Sequence, residues 1–68
     1  MSLRKRSFSL SGHRTSVALE AEFWAVLDKA AQGSSLAALV GQIDAQRGER
    51  PLASALRLHA LALVRGGA

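Results

Sequence analysis

The sequence predicts a mostly helical α+β fold, with one β-strand region near the N-terminus followed by three helices. Polarity alternates residue by residue from Ser7 to Leu19, and from Glu20 onward the apolar residues recur with a helical period. Apolar residues make up 49% of only 68 positions, and cysteine is absent. A chain of this size buries only about 60% of its unfolded surface, so oligomerisation is the expected remedy. We therefore expect the chain to oligomerise.

The strand region has two halves that differ in register. Phe8 and Leu10 alternate with serines, and after Gly12 the apolar side is taken up by Thr15, Val17 and Leu19. The β-branched residues favour a strand. The apolar parity changes from even to odd numbers across Gly12 and His13, which indicates either a β-bulge or a tight turn. The pattern leaves both possibilities open.

Two helices follow the strand region in quick succession. The first carries one apolar stripe and stops at Gly33, and the second is capped by Ser34 or Ser35. Trp24 lies beside the first stripe and is predicted to be partly buried. The predicted stripes consist of Phe23, Val26, Leu27 and Ala30 in the first helix, and of Leu36, Leu39, Val40 and Ile43 in the second.

A third helix is predicted to start at Pro51, in the first-turn position where proline is tolerated, and to end at Gly66-Gly67. Its leucines surround most of the circumference, so we expect it to pack across a subunit boundary. The predicted organisation is a flexible basic arm over residues 1–6, a core over residues 7–47, and a C-terminal helix over residues 51–65 that packs on the dimer.

The charge distribution is strongly asymmetric. The net charge of +4 resides in Arg4, Lys5, Arg6 and Arg14, because the remaining five basic residues are balanced by five acidic ones. A basic segment on a neutral body indicates a polyanionic partner, most plausibly nucleic acid. Arg4, Lys5 and Arg6 are interpreted as an arm that has no partner in the body and contacts the phosphate backbone.

Three segments together carry a family resemblance: Gly-His-Arg-Thr-Ser-Val-Ala-Leu-Glu at 12–20, Phe-Trp at 23–24, and Ser-Ser-Leu-Ala-Ala-Leu at 34–39. Over residues 13–47 this order resembles the ribbon-helix-helix (MetJ/Arc-type) family of bacterial repressors. It is most similar to a branch with an additional C-terminal helix. The resemblance implies an intertwined homodimer. Its two chains pair their strands into an intermolecular antiparallel ribbon, which enters the major groove of double-stranded DNA.

The predicted reading residues are those on the outward side of the strand. Arg14 has the donors to bind guanine, Ser16 has a hydroxyl for a base edge, and Ala18 has a methyl group that fits against thymine. Ser16 and Ala18 are smaller than the long polar side chains usual on such ribbons, so discrimination is expected to rest on Arg14, helped by His13 or by the arm. Ser34 and Ser35 are expected to bind a phosphate at a helix N-terminus.

The resemblance also implies a dimer core and a function. The core is expected to contain Val17, Leu19, Phe23, Leu27, Leu36, Leu39, Val40 and Ile43. The implied function is sequence-specific DNA binding by a homodimeric transcriptional regulator, acting as a repressor, with higher oligomers on DNA left open. An alternative is a dimeric protein-interaction module, antitoxin-like or an adaptor, with little DNA specificity. A membrane-surface binder that uses the basic arm and the leucine-rich helix is a further alternative.

Catalysis and cofactor binding have little support in the sequence. Cysteine and tyrosine are absent and the carboxylates are scattered, so we expect no enzyme activity, no cofactor, no metal and no small-molecule ligand. No stretch has the length and apolarity of a membrane span, and the serine-rich start does not form the apolar region of a secretory signal. The expected location is the cytoplasm.

Overall fold

The computed structural model describes residues 2–66 and has the predicted order of elements. Two strands, β1 (Leu3–Leu10) and β2 (His13–Glu20), precede three helices, α1 (Ala21–Ala30), α2 (Leu36–Gln46) and α3 (Leu52–Gly66). The mostly helical α+β class is confirmed. Met1 of the predicted arm and Gly67 at the predicted end of the third helix lie outside the described residues.

The two strands form an antiparallel hairpin within one chain. Phe8 lies opposite Thr15 and Arg6 opposite Val17, and the pairing runs from Leu3–Glu20 to Leu10–His13. Residues 11 and 12 form the connecting turn, with φ of 52° and 81°. Positive φ at both central residues is characteristic of a type I′ turn, whose twist matches that of the flanking strands. The change of parity at Gly12 is therefore a turn and not a bulge.

The pairing of β1 with β2 differs from two predictions, that of a flexible N-terminal arm and that of a strand partner from a second chain. Residues 3–6, predicted to belong to a flexible arm, are the first half of β1 and pair with residues 17–20. The expectation of a flexible arm is wrong for these residues, because backbone pairing with β2 holds Arg4, Lys5 and Arg6 in the hairpin. The partner of β2 in this chain is β1, whereas the sequence analysis expects the strand of a second chain.

Substitution of Gly12 tests the turn. Gly12→Ala should lower the free energy of unfolding by about 1–2 kcal/mol, because a Cβ is strained in the left-handed region. A Cβ at this position meets no other atom within 4 Å, so the effect is one of backbone conformation. Gly41→Ala, in the interior of α2 and equally unobstructed, should instead raise the free energy by about 0.5–1 kcal/mol. Urea unfolding that shows the same sign for both variants would contradict this assignment.

Helix α1 packs through a different stripe from the one predicted. Trp24, Leu27 and Ala31 are buried, whereas Phe23 and Val26 are only partly buried and Ala30 is exposed. The predicted stripe is thus wrong, because the buried face of α1 is shifted by one residue along the sequence. The reason is the hairpin, because β1 offers the Trp24 side chain both an aromatic neighbour in Phe8 and a hydrogen-bond acceptor in the backbone of Arg4.

The ends of α1 and α2 follow the local chemistry of their residues. Gly33, with φ of 84°, ends the turn after α1. Ser35 is the N-cap of α2, and its Oγ accepts a hydrogen bond of 2.9 Å from the backbone N–H of Ala38. This choice between Ser34 and Ser35 was open in the sequence.

Helix α3 starts one residue after Pro51, whose carbonyl accepts a hydrogen bond from Ala55. It buries one face, formed by Leu52, Ala55, Leu56 and Ala60. The eight residues predicted for a dimer core all lie in or against the core of this single chain. Five are buried (Val17, Leu19, Leu27, Val40 and Ile43), and three are partly buried (Phe23, Leu36 and Leu39).

Candidate nucleic-acid interface

The outer face of the hairpin, which points away from the helices, is polar and positively charged. Its cross-strand pairs are Lys5 with Ala18, Ser7 with Ser16, and Ser9 with Arg14. All of these residues except the half-buried Ala18 are exposed. The structure thus brings the three predicted reading residues, Arg14, Ser16 and Ala18, onto one face, and it adds Lys5, Ser7 and Ser9 to them. The two cations lie at opposite ends of this face.

The middle of the outer face is organised by a pair of serines. The hydroxyl oxygens of Ser7 and Ser16 lie 2.9 Å apart, which is a hydrogen bond in which either is the donor. Each hydroxyl has one donor and two acceptor positions, so both keep a free position toward an external group. The small side chains also allow a ligand to approach the backbone closely.

Arg6 belongs to the opposite, inner face of the hairpin. Its guanidinium donates two hydrogen bonds to the Asp28 carboxylate, of 2.9 and 3.2 Å, and lies 4.8 Å from the centre of the Trp24 ring. This arrangement fastens β1 to α1. The prediction that Arg6 has no partner in the body is therefore wrong, because its parity is that of Phe8 and Leu10 and directs it toward the helices.

Arg4 is held through its backbone and not through its side chain. The indole Nε1 of Trp24 donates a hydrogen bond of 2.7 Å to the Arg4 carbonyl. The Arg4 side chain is exposed and lines, with Lys5, an open groove of about 610 Å³ between β1 and α1. Arg4 and Lys5 are thus both accessible to an anionic partner.

The remaining predicted contacts are exposed but are not part of the outer face. His13 is the first residue of β2, next to the turn, and pairs with Leu10. Ser34 and Ser35 lie at the N-terminus of α2, where unpaired backbone N–H groups favour an anion. The Ser35 oxygen is already occupied by the cap, and its hydroxyl proton remains available.

An ion pair ties the end of the hairpin to α3. The Arg57 guanidinium donates hydrogen bonds of 2.9 and 3.3 Å to the Glu20 carboxylate, and it lies 6.0 Å from the centre of the Phe23 ring. The hydrogen bond from Arg57, with a backbone hydrogen bond and the positive charge of Arg57, lowers the pKa of Glu20. Helix α3 thereby holds the end of β2, the strand that carries Arg14.

This ion pair predicts a pH dependence of stability. Because the pKa of Glu20 is lowered in the folded state, its contribution is present above the pKa of a free glutamate, about 4.3, and is lost as the pH falls further. We expect Glu20→Gln to flatten the acid limb of the unfolding free energy measured in urea between pH 7 and pH 3. Glu49→Gln, in the exposed loop before α3, is the matched control and should leave that limb unchanged. Equal slopes for wild type and Glu20→Gln would contradict a role of this pair.

Lys5, Ser7 and Ser9 share the outer face with Arg14, Ser16 and Ala18, although they are absent from the predicted reading residues. A signal was present in the sequence. The serine alternation at 7, 9 and 11 extends backward to Lys5, while Arg6 keeps the parity of Phe8 and Leu10. Extending the strand pattern by two residues would have separated Lys5 from Arg6.

Within residues 2–66, no group of three or more histidine, cysteine or acidic residues is placed to hold a metal ion. None of the helices in this range has both the length and the apolarity to cross a bilayer.

Comparison with known proteins gives one family. The sequence matches the ribbon-helix-helix domain family over residues 3–64, whereas no curated protein and no solved structure matches the chain. Domains of this family generally bind DNA as transcription regulators, typically dimerise, and are typically non-enzymatic. Because the match spans the hairpin, α1, α2 and most of α3, this chain belongs to the ribbon-helix-helix domain family.

Proposed function

We propose that this protein is a homodimeric transcriptional regulator that binds double-stranded DNA sequence-specifically, with its β1–β2 hairpin inserted in the major groove. The observation that carries the proposal is the outer face of the hairpin. It presents Lys5 and Arg14 among small side chains. From residue 5 to residue 19, neither strand carries an acidic residue.

The dimensions of the hairpin suit the groove. Two strands about 4.8 Å apart form a ribbon that the major groove, about 12 Å wide, admits. Serine and alanine in the middle of the face keep the ribbon thin. The charge is suited as well, since the phosphate backbones on both sides of the groove attract a positively charged face.

Each outer-face residue has a role that follows from its chemistry. Arg14 is the one long side chain with a planar donor fork, so we assign it to guanine O6 and N7. Ser16 donates to or accepts from a base edge through the hydroxyl position left free by Ser7. Ala18 contacts a thymine methyl group. These assignments make Arg14 the main source of discrimination.

The phosphate contacts come from the borders of the hairpin and from α2. Lys5 is exposed on the outer face, Arg4 and His13 are exposed near the two ends of the hairpin, and Ser34 and Ser35 offer the N-terminus of α2. Arg6 is excluded from this set, because it is committed to Asp28 and Trp24.

Selection of bound fragments from a randomised duplex pool, followed by titration of the selected site, tests the proposal. Arg14→Ala should weaken binding to the selected site by about 1–3 kcal/mol and narrow its advantage over random DNA. Arg65→Ala, near the end of α3, removes the same charge outside the hairpin and should leave that advantage intact.

The salt dependence separates reading from phosphate contact. Combined substitution of Arg4 and Lys5 by alanine should weaken binding to all duplexes alike and reduce the salt slope by about 0.9 per lost phosphate contact. Arg6→Ala should leave the slope unchanged. If no fragment is enriched and none of these variants alters DNA affinity, the protein-interaction alternative replaces the proposal.

A further inference from the structure

A cleft of about 240 Å³, open to solvent, lies between α2 and α3. Its lining comes from these two helices and from the loop that joins them, so this α2–α3 cleft is separate from the outer face of the hairpin. The apolar part of the lining consists of Ile43 and Ala55, which are buried in the core, and Leu58, which is 47% exposed. The polar part includes Arg47, Arg50 and His59.

Arg47 is held in place by its neighbours in the chain. Its Nε donates a hydrogen bond of 2.7 Å to the Asp44 carboxylate, and its Nη1 donates one of 2.6 Å to the Arg50 carbonyl. The backbone N–H of Arg50 donates in turn to the Arg47 carbonyl, at 3.2 Å. Two of the five N–H donors of the guanidinium are thus in use, and three remain for an external acceptor. A group that is already ordered loses little conformational entropy when it binds a ligand.

Arg50 supplies a positive charge that is not neutralised at the cleft. Its side chain is exposed and forms no ion pair or hydrogen bond with any residue in the range 2–66. Asp44 and Glu49 are close in sequence, but neither lines the cleft. Because Asp44 is paired with Arg47, the lining carries a net positive charge through Arg50 and favours an anion.

The apolar part of the lining distinguishes between kinds of anion. An inorganic phosphate, or a phosphate of the DNA backbone, has no apolar group to place against Ile43, Ala55 and Leu58. A small organic carboxylate has both parts, since its oxygens match the guanidinium donors and its hydrocarbon part removes apolar surface from water. The volume of the cleft is below the range of about 300–1,000 Å³ that is usual for drug-sized ligands, so the occupant is small.

We infer that the α2–α3 cleft binds a small organic carboxylate, with the carboxylate on Arg47 and Arg50 and an aliphatic or aromatic part on the apolar lining. This site differs from the expectation that the protein has no small-molecule ligand. The sequence by itself gives no sign of it, because the lining residues are brought together only when α3 packs on α2. The site is an addition to the function proposed above and does not depend on it.

Titration of isotope-labelled protein with benzoate, followed by NMR, tests the site. Benzoate should shift the amide signals within residues 43–59 saturably, with a dissociation constant on the order of 1 mM, as expected for so small a ligand in an open cleft. Benzyl alcohol has the ring without the charge, and acetate has the charge without the ring. Each should bind more weakly than benzoate by about fivefold or more.

Two variants separate the two parts of the lining. Arg50→Gln should weaken benzoate binding by about threefold to fivefold, and it should leave the fold intact because the Arg50 side chain is exposed. The matched control is Arg65→Gln, which removes the same charge near the end of α3 and should bind benzoate like the wild type. Leu58→Ser should weaken benzoate binding and leave acetate binding unchanged, since acetate does not use the apolar lining.

Several outcomes would overturn the inference. Signal shifts that grow without saturation, or that are centred on Arg4 and Lys5, would mean that benzoate associates with positive charge in general. Equal affinities of Arg50→Gln and the wild type would remove Arg50 from the site. A DNA duplex that displaces benzoate from the cleft would assign the cleft to phosphate contact. Because the benzoate titration uses no DNA, benzoate binding without duplex binding would support this site and contradict only the proposed function.

Discussion

Replacement of Trp24 by alanine is expected to destabilise this protein by about 3–5 kcal/mol, the usual cost of removing a large buried aromatic side chain. Trp24 is 2% exposed and belongs to the cluster of buried side chains that forms the core. A chain of this length has a total stability of roughly 3–10 kcal/mol, so the variant should be largely unfolded at 37 °C. Circular dichroism against temperature measures the loss. A melting curve that coincides with the wild type would contradict the central position of Trp24.

The conservative variant separates packing from hydrogen bonding. Trp24→Phe keeps a ring beside Phe8 but removes the N–H that binds the Arg4 carbonyl. We expect a cost of about 1 kcal/mol from the lost hydrogen bond. The first half of β1 should loosen selectively, which hydrogen exchange at residues 3–7 detects. Equal protection of these amides in both proteins would mean that the indole does not hold β1.

Introduction of a charge at Leu27 is expected to have an equally large effect. Leu27 is fully buried in α1, and Leu27→Asp places an unpaired carboxylate in the core at a cost of at least about 3–5 kcal/mol. The protein should be unfolded at neutral pH. Circular dichroism should show loss of the helical signal at 25 °C, and a helical spectrum like that of the wild type would contradict the core described here.

The matched control lies two residues earlier on the same helix. Ala25 is exposed and borders the groove that Arg4 and Lys5 line, so Ala25→Asp adds the same group in a solvated, positively charged setting. We expect its stability to stay within about 0.5 kcal/mol of the wild type. Similar losses for both variants would indicate that helix propensity, and not burial, determines the result.

The structure changes the interpretation of the basic N-terminus. Arg4, Lys5 and Arg6 are predicted to form one arm, but each has a different position in the structure. Lys5 lies on the outer face with Arg14, Arg4 is exposed at the groove between β1 and α1, and Arg6 is bound to Asp28. Three charges that are adjacent in sequence thus divide into two candidate phosphate contacts, Arg4 and Lys5, and one residue, Arg6, that holds β1 to α1.

The alternation of polarity determined more of the fold than the composition did. It predicted that Thr15, Val17 and Leu19 face the helices and that Arg14, Ser16 and Ala18 face outward, which the burial along β2 confirms. Strand alternation depends only on the period of two of the extended chain, so it is legible in a single segment. The caps and stops at Gly33, Ser35 and Pro51 are local in the same way.

The helical stripe of α1 shows where local patterns become insufficient. Phe23 and Trp24 are adjacent large aromatic residues, and either one completes a stripe with Leu27. The choice falls on Trp24 because Phe8 and the Arg4 carbonyl lie within reach of its ring, and both belong to a strand about twenty residues away in sequence. A hydrogen-bond acceptor in another strand does not change the spacing of apolar residues along the helix, so the helical pattern cannot reveal it.

By itself, the sequence determined the order of the strand region and three helices, the side of β2 that faces outward, and the concentration of positive charge at the N-terminus. These properties follow from period, capping and charge, which act over a few residues. Only the tertiary structure decided that Gly12 forms a turn, that β1 extends to Leu3, and that Arg6 binds Asp28. It also decided which half of α3 stays exposed. Each of these depends on a contact between segments far apart in the chain, and its free energy is available only once both segments are in place.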